Sequence, residues 1–166
     1  MPFMWEEVIR ILAALEAYGK SAGIRNAQRL RAFIVLLRYS GLRIGDAVQI
    51  DTNRIRGNKL LLHTEKTGVP VYCVLPDMVI RAQDSAPHSS ARYFFWTGAS
   101  TVRSAKGKWQ KRLQRIFELA HVPNGHAHRF RDTFAVELLL SGIPLDRVSI
   151  LLGHSSIRIA ERHYAP

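Results

Sequence analysis

Residues 126–166 constrain the fold more than any other stretch of this chain. Apolar residues recur there at three- and four-residue spacing, which predicts three short helices, at 128–140, after Pro144, and from Ser155 onward. Three polar pieces accompany them: His128-Arg129-Phe130-Arg131, Leu152-Gly153-His154 and Tyr164. The end of the chain is thus predicted to place two imidazoles, a cation and a phenol on short helices, a set suited to handling a phosphate group.

The preceding residues predict a mainly helical domain with one small sheet. Amphipathic or apolar helices are predicted at 2–18, 26–39, 77–83 and 101–122, with a short one beginning near Ile44. The stretch from Gly19 to Gly23 is expected to break the first helix. Strand-like segments at 54–56, 59–64 and 69–75 predict a three-stranded antiparallel sheet. Residues 93–96 are predicted to face the core or to form a strand. We therefore expect an α+β fold in which residues 1–166 form a single domain.

The charge of the chain points to a polyanionic partner. Its net charge is +11, and 18 of its 24 basic residues are arginine, whose planar fork of donors matches phosphate. The helix at 101–122 carries six basic residues and no acidic one between positions 103 and 115. Solvated helices usually mix charges of both signs, so this face predicts contact with a DNA backbone. The six residues are Arg103, Lys106, Lys108, Lys111, Arg112 and Arg115.

The location is predicted to be cytoplasmic. The sequence has one cysteine, Cys73, which fits a reducing compartment. It has no apolar run of eighteen residues and no secretory signal at its start, so we expect no membrane partner.

Taken singly, none of the polar residues near the end of the chain indicates a function, because histidines, arginines and tyrosines are more often structural. Their order is more informative. The chain carries Ser-Gly-Leu-Arg-Ile-Gly-Asp (40–46), His-Arg-Phe-Arg-Asp-Thr-Phe-Ala (128–135), Leu-Leu-Gly-His-Ser-Ser (151–156) and Glu-Arg-His-Tyr-Ala (161–165). From about residue 25 to 165 this resembles the catalytic domain of the tyrosine recombinases, the phage integrase family.

The resemblance implies a role for each matching residue. Arg43 and Arg131 would bind the non-bridging oxygens of a scissile DNA phosphate, and His154 would hydrogen-bond it. Tyr164 would attack the phosphorus, leaving a 3′-phosphotyrosine and a free 5′-hydroxyl. His128 would serve in proton transfer with the nucleophile. Lys66, on a flexible hairpin, would protonate the leaving oxygen, and Asp46 would support the site.

Elementary chemistry agrees with these roles. A phenol has a pKa near 10, so it needs a base or nearby cations to act as a nucleophile. Two arginines aimed at a phosphorane stabilise its extra negative charge more than they stabilise the ground state. The covalent intermediate conserves the bond energy, so no ATP is needed, and cations replace a metal. No cofactor and no metal are expected.

Some features depart from the family. Phe130 stands where leucine is usual, and Asp132 stands where histidine is frequent; we expect no loss of chemistry from either. The N-terminal DNA-clamping domain of the family is expected to be absent. The sequence stops two residues after Tyr164, so the tyrosine is expected to be loosely anchored.

The expected function is site-specific DNA recombination, on double-stranded DNA, by copies that are monomeric alone and self-associate on DNA. Two alternatives remain open at the level of the sequence: a DNA-binding module that does not cut, and a strand transferase resembling type IB topoisomerases. A metal site on His126 and His128, with His154 or His163, is disfavoured because no acidic or cysteine ligand lies nearby in sequence.

Overall fold

The computed structural model describes residues 1–165 and confirms a mainly helical fold with a three-stranded antiparallel sheet. The helices are α1 (Trp5–Ala22), α2 (Ile24–Ser40), α3 (Ile44–Val48), α4 (Asp77–Ser85), α5 (Val102–Leu119), α6 (His128–Leu140), α7 (Leu145–Leu151) and α8 (Ile157–Tyr164). The strands are β1 (Ile55–Arg56), β2 (Lys59–His63) and β3 (Pro70–Val74). Within residues 1–165, no helix has the length and apolar character that crossing a membrane requires.

The sheet has the order β1-β2-β3 and presents one face to the core. Leu60 pairs with Cys73, and Leu62 pairs with Val71, in the antiparallel register of β2 and β3. These four residues are buried, whereas their neighbours along each strand are exposed. The alternation is the period-two pattern of a half-buried sheet.

Helix α2 runs through the middle of the core, as its nearly continuous apolar sequence predicts. It packs against α1, α4 and α6, and the residues from Ala32 to Arg38 are all buried. Phe33 stacks on Trp109 of α5 with ring centroids 4.3 Å apart. The two long helices α2 and α5 are therefore joined through an aromatic contact.

The boundary between α1 and α2 differs from the sequence prediction. The predicted break at residues 19–23 is wrong over its first four residues, because α1 continues to Ala22 and ends at Gly23. A Cβ at Gly19 would lie 3.2 Å from the Cβ of Ala27, so this glycine lets α1 and α2 approach closely. Of the two alternatives predicted for residues 93–96, the structure has the core-facing one, because Phe94 and Phe95 are buried. These residues form no named strand, and an isolated β-bridge pairs Tyr93 with Asp51.

Candidate active site

A groove of about 790 Å³ lies between α3, the β2–β3 turn, α5 and the start of α6; we call it the main groove. Three of the six predicted catalytic residues line it: Arg43, Lys66 and His128. The other three, Arg131, His154 and Tyr164, do not line it, but all three lie close enough to Arg43 for its charge to affect their pKa values.

Arg43 reaches the main groove because α2 ends abruptly just before it. Gly41 caps α2 in the left-handed conformation, at φ 66°, and a Cβ there would lie 2.4 Å from the ring of Phe134. The chain then turns, and Arg43 becomes the residue that precedes α3. Its Nη1 atom is buried and has no hydrogen-bond partner among residues 1–165. A buried charged donor without a partner is costly, and an anion that reached it would remove that cost.

Arg131 connects two distant parts of the chain. Its side chain is buried, Nη1 donates to the carbonyl of Gly41 at 2.7 Å, and Nη2 donates to the carbonyl of Leu152 at 2.8 Å. Burial, together with the charge of Arg43, lowers the pKa of Arg131 to about 10, so it stays protonated at neutral pH. The ends of α2 and α7 are thereby held beside a second cation.

Lys66 lies in the β2–β3 turn, whose neighbouring residues are held from two sides. The backbone N–H of Glu65 donates to Oδ1 of Asp46 at 2.8 Å, and Oγ1 of Thr67 donates to the carbonyl of Gly153 at 3.0 Å. Burial raises the pKa of Asp46, while this backbone hydrogen bond opposes the change. The side chain of Lys66 is exposed. The turn is therefore tied to α3 and to the end of α7, and its lysine side chain extends into solvent.

Gly153 makes the second of those ties possible. It lies just after α7 at φ 67°, and a Cβ there would come within 2.8 Å of both Thr64 and Val71. No larger residue fits, because the backbone after α7 passes directly against β2 and β3.

Tyr164 is the last residue of α8, and its phenol is half-buried. The hydroxyl donates a hydrogen bond to Oδ1 of Asp132 at 3.0 Å. Burial and the Asp132 carboxylate raise the pKa of Tyr164 to about 12, while Arg131 and Arg43 act in the opposite direction. The phenol is thus protonated at neutral pH and is anchored by its side chain as well as by its helix, contrary to the expectation of loose anchoring.

The two predicted catalytic histidines are neutral at pH 7. Nε2 of His128 lies 3.6 Å from Oδ1 of Asp132, and burial lowers its pKa despite that carboxylate. Nδ1 of His154 lies 3.3 Å from Oγ of Ser149. Burial, then the charges of Arg131 and Arg43, lower the pKa of His154 to about 4. A neutral His128 can accept a proton.

Asp132 is the residue of this site to which the sequence assigned no role. Besides Tyr164 and His128, it contacts the amino group of Met1, which lies 2.9 Å from Oδ2. Burial raises the pKa of Asp132, but the hydrogen bonds from Met1 and Tyr164 outweigh it and lower the pKa overall. A signal was present, since Asp132 follows His128 by four residues on one helix and such residues are neighbours.

The six basic residues of α5 do not face one way. Lys106 lines the main groove, whereas Lys108 and Arg112 line a separate pocket on another side of the helix. Arg115 forms an exposed ion pair with Glu118 at 3.5 Å. The remaining two, Arg103 and Lys111, are exposed.

The sequence disfavours a metal site on His126 and His128 with His154 or His163. In the part of the chain that the structure describes, no three histidine, cysteine, aspartate or glutamate side chains are grouped so as to hold a metal ion.

Comparisons with known proteins agree with this fold. The model of the phage integrase family matches residues 4–166. The tyrosine recombinase XerC of Rickettsia bellii (strain OSU 85-389) is 26% identical over 169 residues, which cover 95% of this chain and 53% of that protein. The XerA recombinase structure superimposes with a TM-score of 0.74 at 17% identity, covering 97% of this chain and 58% of the other. The XerH recombinase bound to its difH substrate also gives a TM-score of 0.74, at 19% identity, covering 96% of this chain and 49% of the other.

The chain spans about half the length of the XerC relative. The likeness to the XerA and XerH structures establishes the fold, which is that of the tyrosine recombinase catalytic domains. The family model covers nearly the whole sequence, including all four motifs. This chain therefore belongs to the phage integrase family of tyrosine recombinases.

Proposed function

We propose that this chain is the strand-cutting domain of a site-specific DNA recombinase, with Tyr164 as its nucleophile. One observation carries the proposal: the phenol of Tyr164 lies where the charges of both Arg131 and Arg43 act on it, beside a groove lined with cations. A phosphotyrosine keeps the energy of the broken phosphodiester bond, so the same residues could reseal the strand without ATP, metal or another cofactor.

Binding of the scissile phosphate falls to the two arginines. The free Nη1 of Arg43 supplies a donor, and Arg131, held by two carbonyls, retains further N–H groups because a guanidinium has five. Charge-assisted hydrogen bonds to phosphate are about twice as strong as neutral ones. Their charge also offsets the cost of forming a phenolate, since both arginines lower the pKa of Tyr164. His154 donates a further hydrogen bond to the phosphate.

The proposed cleavage step moves two protons. The Oη atom of Tyr164 forms a bond to phosphorus as its proton leaves, and the bond from phosphorus to the 5′ oxygen breaks. The hydroxyl first gives up its hydrogen bond to Asp132, and its proton passes to neutral His128, whose Nε2 lies 3.6 Å from the same carboxylate oxygen. Lys66 gives a proton to the departing 5′ oxygen, which becomes a hydroxyl. Resealing reverses each transfer.

The partner in this proposal is double-stranded DNA, and copies of the chain assemble on it while remaining monomeric alone. An intracellular location goes with that partner. Residues 1–166 act as one catalytic domain, and the main groove faces the duplex.

The experiment is a denaturing gel with a duplex that carries a nick near the cut, so that a covalent adduct is trapped. The wild-type chain forms a protein–DNA adduct. Tyr164→Phe forms none, and its affinity for duplex DNA stays within about twofold, because one hydroxyl outside the groove contributes little to phosphate binding.

The matched control is Tyr72→Phe, which removes the hydroxyl of an exposed tyrosine on β3 and leaves the adduct unchanged. An adduct formed by Tyr164→Phe at the wild-type rate contradicts the assignment of the nucleophile.

A second candidate function, DNA binding without cutting, is favoured by one specific observation. The hydroxyl of Tyr164 donates a hydrogen bond to Asp132, and Tyr164 does not line the main groove. The same gel separates the two functions, because a chain that only binds DNA gives no adduct even when Tyr164 is intact.

A further inference from the structure

A second cationic cavity, of about 350 Å³, lies beside α5 away from the main groove; we call it the arginine pocket. Its cations come from two helices, Arg25 and Arg29 of α2 with Lys108 and Arg112 of α5. Trp96 and Trp109 form part of its wall. None of the four basic residues belongs to the predicted catalytic set.

The cations of the arginine pocket have no counter-charge there. Of the residues from 1 to 165 that line it, none is acidic. The guanidinium of Arg29 lies 5.5 Å from the ring centroid of Trp109, and that of Arg112 lies 4.4 Å from the same ring. Burial, together with the charge of Arg112, lowers the pKa of Arg29. Like charges held together in this way are destabilising unless an anion joins them.

The hydrogen bonding of Arg29 also favours an anionic ligand. Its Nη2 donates to Oγ of Ser89, but its Nε is buried and has no hydrogen-bond partner in the described part of the chain. A buried N–H without a partner is costly, and a charged one more so. An oxyanion in the pocket would satisfy this donor and neutralise the two arginines.

The position of the pocket relative to the main groove suits a phosphate of a DNA backbone. Along α5, Lys106, Gln110 and Gln114 recur every four residues and line the main groove. Lys108 and Arg112, also four apart, line the arginine pocket. An exposed ridge of α5 therefore separates the two cavities by about one helix diameter, roughly 10–12 Å. The major groove of DNA is about 12 Å wide and is bordered by the backbones of both strands.

We propose that the arginine pocket binds a backbone phosphate of the DNA strand opposite the one held at the main groove. The proposal rests on the proposed function, since it takes duplex DNA as the ligand. The forked donors of Arg112 and Arg25 contact the phosphate oxygens, and Arg29 contributes its free Nε. The two cavities together set the position of the duplex across α5.

The test measures affinity for a duplex as a function of salt, in the Tyr164→Phe background so that nothing is cut. Each lost phosphate contact reduces the slope of log K against log salt by about one. The double variant Arg25→Gln/Arg112→Gln is expected to lose about one unit of slope and roughly tenfold in affinity at low salt. The control is Arg31→Gln, an exposed arginine of α2 that does not line the pocket, which keeps the wild-type slope.

A second measurement uses inorganic phosphate without DNA, observed at the indole N–H signals of Trp96 and Trp109 by NMR. Phosphate shifts these signals in the wild type and not in the double variant, while Trp5 on α1 is unaffected. Thermal unfolding of the double variant verifies that it folds.

The outcomes separate the pocket from the proposed function. Wild-type slope and affinity in the double variant overturn the DNA assignment; if phosphate still shifts the indoles, the pocket is a site for a free anion. Failure of the proposed function has a different signature: no adduct forms at Tyr164, yet the double variant still binds DNA more weakly than the control.

Discussion

The main groove and the arginine pocket lie on two sides of α5, and both contain basic side chains, but the cations at the two places are held differently. Around the main groove, Arg131 donates to two backbone carbonyls, and the carboxylates of Asp46 and Asp132 lie within reach of its charge. In the arginine pocket, Arg29 and Arg112 share one indole ring and no acidic residue lines the cavity.

The difference separates chemistry from binding. A site that transfers protons needs acids, bases and cations close enough for the charge of one to shift the pKa of another. Asp132 and Arg131 shift the pKa of Tyr164 in this way. A site that only binds a polyanion needs positive charge and free donors.

The largest expected effect is on stability. Arg131→Ala leaves the carbonyls of Gly41 and Leu152 without their buried partner, so it lowers the free energy of unfolding by about 2–4 kcal/mol. Arg112→Ala changes it by less than about 1 kcal/mol, because Arg112 has a like-charged neighbour. Urea unfolding followed by circular dichroism measures both. Equal losses in the two variants would show that the cations are held alike.

The next effect is on the acidity of Tyr164, the proposed nucleophile. Besides burial, the Asp132 carboxylate raises the pKa of Tyr164 to about 12 by disfavouring the phenolate. Asp132→Asn removes that negative charge, so the pKa of Tyr164 falls. Titration of ¹³C-labelled tyrosine by NMR measures it, with Tyr164→Phe assigning the signal. Asp51→Asn, which removes a carboxylate paired with Arg92, serves as the control. An unchanged titration in Asp132→Asn contradicts the tuning role of the carboxylate.

The smallest effect is on the pH dependence of stability. His154 has a pKa of about 4 in the folded chain, below its usual 6.5. Above pH 6.5 it is neutral whether folded or not; between pH 6.5 and 4 the unfolded chain gains a proton that the folded chain does not. Stability therefore falls as the pH falls through that window, by about 1 kcal/mol after allowing for solvent screening.

His154→Gln removes this contribution, so the variant loses less stability than the wild type between pH 6.5 and 4. Thermal unfolding across the range measures the difference. Parallel pH curves for the two proteins would mean that another group carries the acid sensitivity.

Periodicity and motif order predicted the fold and the proximity of Arg43 to Arg131. They did not predict the contacts of Asp132, because its hydrogen-bond partner Tyr164 lies 32 residues away and on another helix. The sequence did not predict the arginine pocket either, because residues of α2, of α5 and of the loop before α5 form it together. The sequence could have predicted that the basic residues of α5 lie on different sides of the helix. At about 100° per residue, Lys106 and Lys108 are separated by roughly 200° around the helix axis, so they face nearly opposite sides.

The two carbonyl contacts of Arg131 have a consequence for how the sequences of such domains diverge in evolution. If Tyr164 is the nucleophile as proposed, a relative that no longer cuts DNA could lose this residue, and the structural loss would be the hydrogen bond to Asp132. Such a relative would keep Arg131, because this side chain joins the end of α2 to the end of α7. In a distant relative of this chain, an arginine at the position of Arg131 therefore indicates an intact fold. A tyrosine at the position of Tyr164 is the residue that would indicate the proposed strand cutting.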